Sequence, residues 1–343
     1  MAETAYLRPS RGDGIRLIKI AACITQVKDS SLSTQNRPRT PMNRLTQIAD
    51  TAFAPKAVLQ ALESLFEPSV GIEDEPDACS DSFLCSLGNL LAISPPMLDT
   101  LRLHPEYLGW LRVISEQGIN EPDKILSHGE PVYYQRQYKS WSKAAEGIED
   151  EFERLRIFKR REYLRISFLD IAGILSFEET VSSLSALADW LINEALGLCW
   201  EILFRQNSVR GESSFPKEGL AVIAMGKLGG EELNYSSDVD LVFCRRNPES
   251  AKEQNFFSKL GERLVQELSK VRPEGFLYRV DMRLRPHGAA GPLVPTIDSI
   301  INYYESWGET WERQALIKAR FIAGAEPIGR RFQEFAAAFT FSR

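Results

Sequence analysis

Hydrophobic and polar positions alternate along this chain with two periods, and the longer one dominates. Leu45, Ile48, Ala49, Ala52 and Phe53 recur at three- and four-residue steps, and Val58, Leu59, Leu62, Leu65 and Phe66 repeat the pattern after Pro55. Such spacing predicts helices over Asn43 to Phe66. Phe83 to Leu91 and Met97 to Leu103 read as short helices divided by Pro95-Pro96, after an acidic, proline-containing loop from Glu67 to Asp81. Ile148 to Leu175 reads as one long helix, with Phe152, Leu155, Phe158, Tyr163, Ile166 and Leu169 on its apolar side. Lys159, Arg160, Arg161 and Arg165 make it basic, either as a solvated face or as one wall of a cleft. Further helices are predicted from Phe177 to about Arg205, Phe256 to Val271, Ile297 to Trp307, Thr310 to Phe321, and onward from Pro327. Tyr133, Tyr134, Tyr138 and Trp141 could stack bases, but their helical spacing favours packing.

Three stretches read as strands instead, two of them unbroken apolar runs and one with the shorter period. Leu220 to Met225 is an apolar run of strand length, followed by a glycine-rich turn, Gly226-Lys227-Leu228-Gly229-Gly230. Glu231 to Asn234 has room for about one helical turn. Ser236-Ser237-Asp238-Val239-Asp240 then leads into a second apolar run, Leu241 to Cys244. In Phe276 to Pro286, Tyr278, Val280, Met282 and Leu284 take one face while Arg279, Asp281, Arg283 and Arg285 take the other. Strict alternation predicts a half-buried strand. Many helices around a few strands place the chain in the α+β class.

Residues two apart on a strand face the same way, so Asp238 and Asp240 would present neighbouring carboxylates. Two such charges repel unless one is protonated or a cation lies between them. A D-x-D triplet alone is weak, arising by chance about once or twice in a chain of this size. The order strand, glycine turn, Ser-Asp-x-Asp, strand is more informative, and Asp281 offers a third carboxylate. The polar face of the Asp281 strand reads either as a solvated edge with one Asp–Arg pair or as the lining of a cleft. In the second reading Asp281 joins Asp238 and Asp240 around divalent ions, and the arginines neutralise phosphate oxygens. Magnesium, which takes oxygen ligands together with substrate phosphates, is the expected ion.

The order G-K-L-G-G-x-E-L-x-x-x-S-D-x-D-L followed by Y-R-V-D-M-R-L-R-P-x-G resembles the glutamine synthetase adenylyltransferase/adenylyl-removing enzyme family, within the polymerase-β-like nucleotidyltransferases. Arg160 to Ile166 resembles the family's helix before the core. Tyr303-Tyr304-Glu305 with Thr310 to Arg320 resembles the segment after it. The likeness runs from about Ser82 to Gly324. It implies a small mixed-sheet nucleotidyltransferase core preceded by an N-terminal helical region. By the resemblance, Asp238, Asp240 and Asp281 are catalytic residues and ligands of two Mg2+ ions. Gly226, Lys227, Gly229, Gly230, Ser237, Arg279, Arg283, Arg285 and Lys318 then contact nucleotide or phosphate, with Arg320 a further candidate. Wording around Tyr278 to Asp281 and Tyr303 to Glu305 resembles the adenylyl-removing half. The implied reaction is attack of phosphate on AMP held by a tyrosine of glutamine synthetase, giving ADP. Two alternatives remain: AMP transfer from ATP onto glutamine synthetase, and an impaired regulatory fragment that binds glutamine synthetase or a PII-type signal protein.

Composition narrows the setting. With 43% hydrophobic and 26% charged residues, 343 residues can bury sizeable cores in two domains. A net charge of −6 argues against a general nucleic-acid binder. Five scattered cysteines without C-x-x-C spacing, and only three histidines, give no zinc pattern and suit a reduced cytosol. No apolar run reaches the ~20 residues of a membrane span. Residues 1–41, basic and closed by Pro38 and Pro41, read as a disordered tail, with Met42 an alternative start. Residues 42–145 form the expected N-terminal helical region and 146–325 the core with its flanking helices. Residues 326–343 would begin a helical segment that is cut short.

Overall fold

The computed structural model describes residues 41–72, 76–120, 129–143, 148–208, 215–216 and 219–341. The expected tail over 1–40, most of the polar boundary after Gln117, and much of the loop before the first strand lie outside the described residues. The chain divides into two compact units. One holds the described residues up to 120 together with 164–176, and the other holds 129–163 and 177–341. These limits differ from a single break near residue 145, because one long helix contributes its two ends to different units.

The first unit is helical: α1 (Pro41–Asp50), α2 (Pro55–Leu65), α3 (Asp81–Ile93), α4 (Pro95–Leu103) and α5 (Tyr107–Asn120), plus the last part of α7 (Glu151–Ile171). Prolines open α2 and α4, where the missing N–H costs nothing, and the Ser80 hydroxyl accepts from Phe83 N at the start of α3. Val58, Leu62, Leu65, Leu84, Leu87 and Leu101 form its buried interior. Gly88 lets α3 approach Val58 and Leu62 closely; a Cβ there would stand 2.6 Å from Val58 Cγ1.

The second unit contains α6 (Pro131–Ser142), the start of α7, α8 (Phe177–Ser208), β1 (Leu220–Ala224), the one-turn helix α9 (Gly226–Gly229), β2 (Val239–Arg245), α10 (Ala251–Ser269), β3 (Val280–Asp281), α11 (Ile297–Trp307), α12 (Thr310–Leu316), β4 (Arg320–Gly324) and α13 (Glu326–Phe341). The sheet order is β3-β2-β1-β4. Both β2 and β4 run antiparallel to β1, and β3 runs parallel to β2, so the sheet is mixed as expected. All five residues of β1 are buried, which explains its unbroken apolar run. Ala221, Ile223, Val242 and Cys244 pack on one face with Ile300 and Tyr304 of α11 and Ile328 and Phe332 of α13. On the other face Phe243 lies against Gly261 of α10. The aromatic cluster packs rather than stacking bases: Tyr138, Trp141, Phe158 and Trp190 touch ring to ring, and Tyr134 donates to the Ser183 carbonyl.

Three local expectations need correction. The helical turn falls on Gly226–Gly229 itself, not on Glu231 to Asn234. The alternating Phe276 to Pro286 stretch contributes only two strand residues, because Arg283 begins a turn that closes on Asp281. The helix expected from Thr310 to Phe321 stops at Leu316, and Arg320–Gly324 is instead the edge strand β4. A five-residue run containing Phe321 and Ile322 and ending in glycine is a strand signal that the helical reading absorbed. Among the described residues no helix is long and apolar enough to cross a membrane, and no disulfide joins Cys79, Cys85, Cys199 or Cys244.

Candidate nucleotidyl-transfer site

Strand register brings the acidic residues together. Asp240 on β2 and Asp281 on β3 are direct partners, as are Val239 and Val280. Partners on adjacent strands share a face and stand about 4.8 Å apart. Asp238 precedes β2 by one residue and faces the same way as Asp240 by the two-residue period. Burial raises the Asp240 pKa, and the charges of Asp281 and Asp238 raise it further, while Arg283 and Lys227 oppose them. All three carboxylates therefore act on one another, in a region where unshielded like charges are costly.

The glycine turn closes over Asp240. Met225 N donates to the Asp240 carbonyl, tying the end of β1 to β2. Gly226 follows with φ +54, and a Cβ there would lie 2.3 Å from Asp240 Oδ2. Both the backbone angle and the contact demand glycine. Gly229 is packed still more tightly, since its Cβ would meet the Lys318 carbonyl oxygen at 2.0 Å. Gly230 is looser: the nearest atoms an added Cβ would meet are on the side chains of Lys318, at 3.0 Å, and Glu232, at 3.4 Å. Exposed Lys227 lies on this turn, and the Ser237 hydroxyl donates to Asn234 Oδ1 in the following loop.

Arginines occupy the outer carboxylates. Arg279 Nε donates to Asp238 Oδ1 at 2.5 Å, and its Nη2 donates to the Ser236 carbonyl. Arg283 donates through its backbone N, Nε and Nη2 to Asp281, which holds that carboxyl below the usual range. Both guanidinium groups are exposed. Arg285 is used differently: it donates to the carbonyls of Met282, Ala289 and Gly291 and braces its own loop. Lys318 donates to Glu232 Oε2 at 2.7 Å above Gly230. Arg320, the further candidate, is turned inward onto Asp189 rather than toward Asp238, Asp240 or Asp281.

The donor set suits magnesium by type, being all carboxylate oxygen beside a turn that needs glycine. Among the described residues, however, no three His, Cys, Asp or Glu side chains already stand as a closed metal-ligand group. The reason is visible in the ion pairs: Arg279 and Arg283 draw the Asp238 and Asp281 carboxylates toward themselves. For the three to share a cation, Asp281, both of whose oxygens accept from Arg283, must give up part of that pairing, whereas Arg279 donates to only one oxygen of Asp238.

Two residues of the basic run of α7 are engaged elsewhere: Lys159 donates to the Phe276 carbonyl, and Arg160 pairs with Glu274 at 2.8 Å. Sequence reasoning missed Asp189 and the packing role of Lys159. Asp189 is a lone acid in the apolar stretch of α8, and a buried acid requires a partner elsewhere, which is the signal that could have found it.

The family model for glutamate-ammonia ligase adenylyltransferase matches residues 84–335, which include every candidate site residue. Three similar proteins each carry the name bifunctional glutamine synthetase adenylyltransferase/adenylyl-removing enzyme. The one from Thioalkalivibrio sulfidiphilus is 43% identical over 195 residues, covering 55% of this chain and 20% of the relative. That from Pseudomonas putida is 40% identical over 233 residues, covering 64% and 24%. That from Nitrosococcus oceani is 39% identical over 228 residues, covering 62% and 23%. The chain thus spans about a fifth to a quarter of the length of the curated relatives it matches. With the model covering most of its length, the chain belongs to the glutamate-ammonia ligase adenylyltransferase family.

Proposed function

We propose that this chain performs metal-dependent nucleotidyl transfer on glutamine synthetase, and that it removes AMP from an adenylylated tyrosine by phosphorolysis. The observation that carries the reading is the register pairing of Asp240 with Asp281 directly beside Gly226. The names of the relatives supply the substrate. The direction rests on the likeness of Tyr278 to Asp281 and Tyr303 to Glu305 to the adenylyl-removing half.

A phosphate oxygen forms a bond to the AMP phosphorus, and the bond from that phosphorus to the tyrosine oxygen breaks. The products are ADP and the unmodified phenol, whose oxygen takes up a proton. Magnesium, when bound, would polarise the phosphoryl oxygens and neutralise charge shared between attacking and leaving oxygens. Asp238, Asp240 and Asp281 would hold it. Gly226 and Gly230 leave room for phosphates over the turn. Lys227 and Lys318 bring positive charge to that turn, and Arg279 and Arg283, released from their carboxylates, would face phosphate oxygens. Little covalent work is asked of the protein in this chemistry, so positioning and charge supply most of the rate.

Two incubations test the reading. One contains adenylylated glutamine synthetase, phosphate and magnesium; the other contains unmodified glutamine synthetase, ATP and magnesium. ADP release in the first alone supports phosphorolysis. Label from ATP entering protein in the second alone reverses the direction, and silence in both overturns the enzymatic reading.

A further inference from the structure

Asp189 sits midway along α8 with its side chain only 7% exposed, an expensive place for a carboxylate. Its partner comes from the first residue of β4. Arg320 Nη1 donates to Asp189 Oδ2 at 2.5 Å and Nη2 donates to Oδ1 at 3.1 Å. The same guanidinium also holds the glycine turn: Nη2 donates to the Leu228 carbonyl at 2.8 Å and Nε to the Gly229 carbonyl at 3.3 Å. A guanidinium has five N–H donors, so four are engaged.

We propose that Asp189 and Arg320 are a positioning couple that sets the seat of the glycine turn against Asp240 and thereby orients nucleotide phosphates. The assignment rests on the reading of this site as a nucleotidyl-transfer centre. Neither residue need touch substrate. Their action runs through the Leu228 and Gly229 carbonyls at the C-terminal end of α9, the first of which also accepts from Glu231 N at 3.1 Å.

Three contacts then fix the turn. Its N-terminal end rests on the Asp240 carboxylate through Gly226. Its C-terminal end is pressed against the Lys318 and Ala224 carbonyls through Gly229, and Arg320 of β4, held by Asp189 of α8, grips the Leu228 and Gly229 carbonyls. The chain leaves this seat through Glu231, a non-glycine residue at φ +57, a conformation that persists only where surroundings hold it. Glu231 Oε1 lies 3.8 Å from Arg320 Nε, and beyond it Leu233 N donates to the Ser185 hydroxyl of α8. One arginine therefore joins α8, the glycine turn and β4. Lysine, with a single ammonium, cannot reproduce a fork that meets a carboxylate and two carbonyls.

The test uses the full 343-residue chain with Arg320→Lys and Asp189→Asn, each checked for folding by circular dichroism and thermal melting. Amide exchange without ligand reads the seat itself. Protection at Gly229, Gly230, Glu231 and Glu232 should fall at least about tenfold in both variants, with β1 and β2 unchanged. ADP binding with magnesium, by calorimetry, reads the consequence: the dissociation constant should rise on the order of 10- to 100-fold, with a matching rise in KM for phosphate-dependent turnover. A merely structural pair would lower the melting temperature and the active fraction while leaving KM and ADP affinity of the folded protein unchanged, and that result overturns the proposal. If Arg320→Lys does not fold, Asp189→Asn alone decides; if neither folds, the pair is structural and the proposal falls. If the unaltered chain itself fails to bind ADP, the reading of the site falls and this inference with it.

Discussion

Adding one methyl group at Gly226 should disable the site while leaving the protein folded. The backbone there has φ +54, where a side chain costs about 1–2 kcal/mol. The new Cβ would stand 2.3 Å from Asp240 Oδ2 and 3.2 Å from its Cγ. Ordinary contact requires roughly 1 Å of movement, and the carboxylate yields more readily than the sheet behind it. Gly226→Ala should therefore lose about 2–3 kcal/mol of stability. A displacement of that size at a reacting centre costs on the order of 100-fold in rate. Gly197→Ala, within α8, is the matched control: the position is helical and an added Cβ would meet nothing within 4 Å. Turnover should stay within about 2- to 3-fold, the rate equivalent of roughly 0.5 kcal/mol. The assay is ADP release from adenylylated glutamine synthetase, beside urea denaturation of each variant. Equal activity in the two alanine variants would refute the reasoning.

Arg279→Gln should separate stability from function: its pair with Asp238 is more than half exposed on both sides, so stability should change by less than about 1 kcal/mol in denaturation, while kcat/KM falls about 10-fold or more. Lys159 gives a pH signature. The residue as a whole is only half-buried, but its Nζ lies 4.5–5.3 Å from the ring centroids of Tyr163, Phe276 and Tyr278, and this enclosure, aided by Arg279, lowers its pKa to about 7. Between pH 7 and 9 the unfolded lysine still carries a proton that the folded one has shed, so stability from this group rises with pH in that window and is least at or below pH 7. Lys159→Met should remove that slope, so the wild type gains about 1–2 kcal/mol on the variant between pH 7 and pH 9 in chemical denaturation. An unchanged difference at the two pH values would show that the amine is solvated.

How much of this was legible in the letters depends on the range of the interaction. The helices and the fully buried β1 follow from local periodicity, and the Asp238–Asp240 spacing from strand geometry. The short β3 was overestimated because alternation continues through Arg283 and Arg285, whereas side-chain bonding to Asp281 and to loop carbonyls turns the backbone there. β4 is hidden because the helical reading from Thr310 runs over its short local strand signal, while the pairing with β1 that fixes it lies about a hundred residues away. By the family resemblance Arg320 reads as a phosphate contact, but only tertiary structure shows Asp189 as its partner in α8. Nor could spacing reveal that Arg279 and Arg283 hold the outer carboxylates.

If Asp238, Asp240 and Asp281 serve one metal-assisted reaction, Asp240→Asn is the substitution that reveals it, because this residue lies between the other two and beneath the glycine turn. The substitution keeps size and removes charge. ADP release from adenylylated glutamine synthetase should be measured across a magnesium titration, with folding checked by circular dichroism. Turnover should fall at least about 100-fold, and saturating magnesium should not restore it. Unchanged turnover with unchanged magnesium dependence would contradict that shared role.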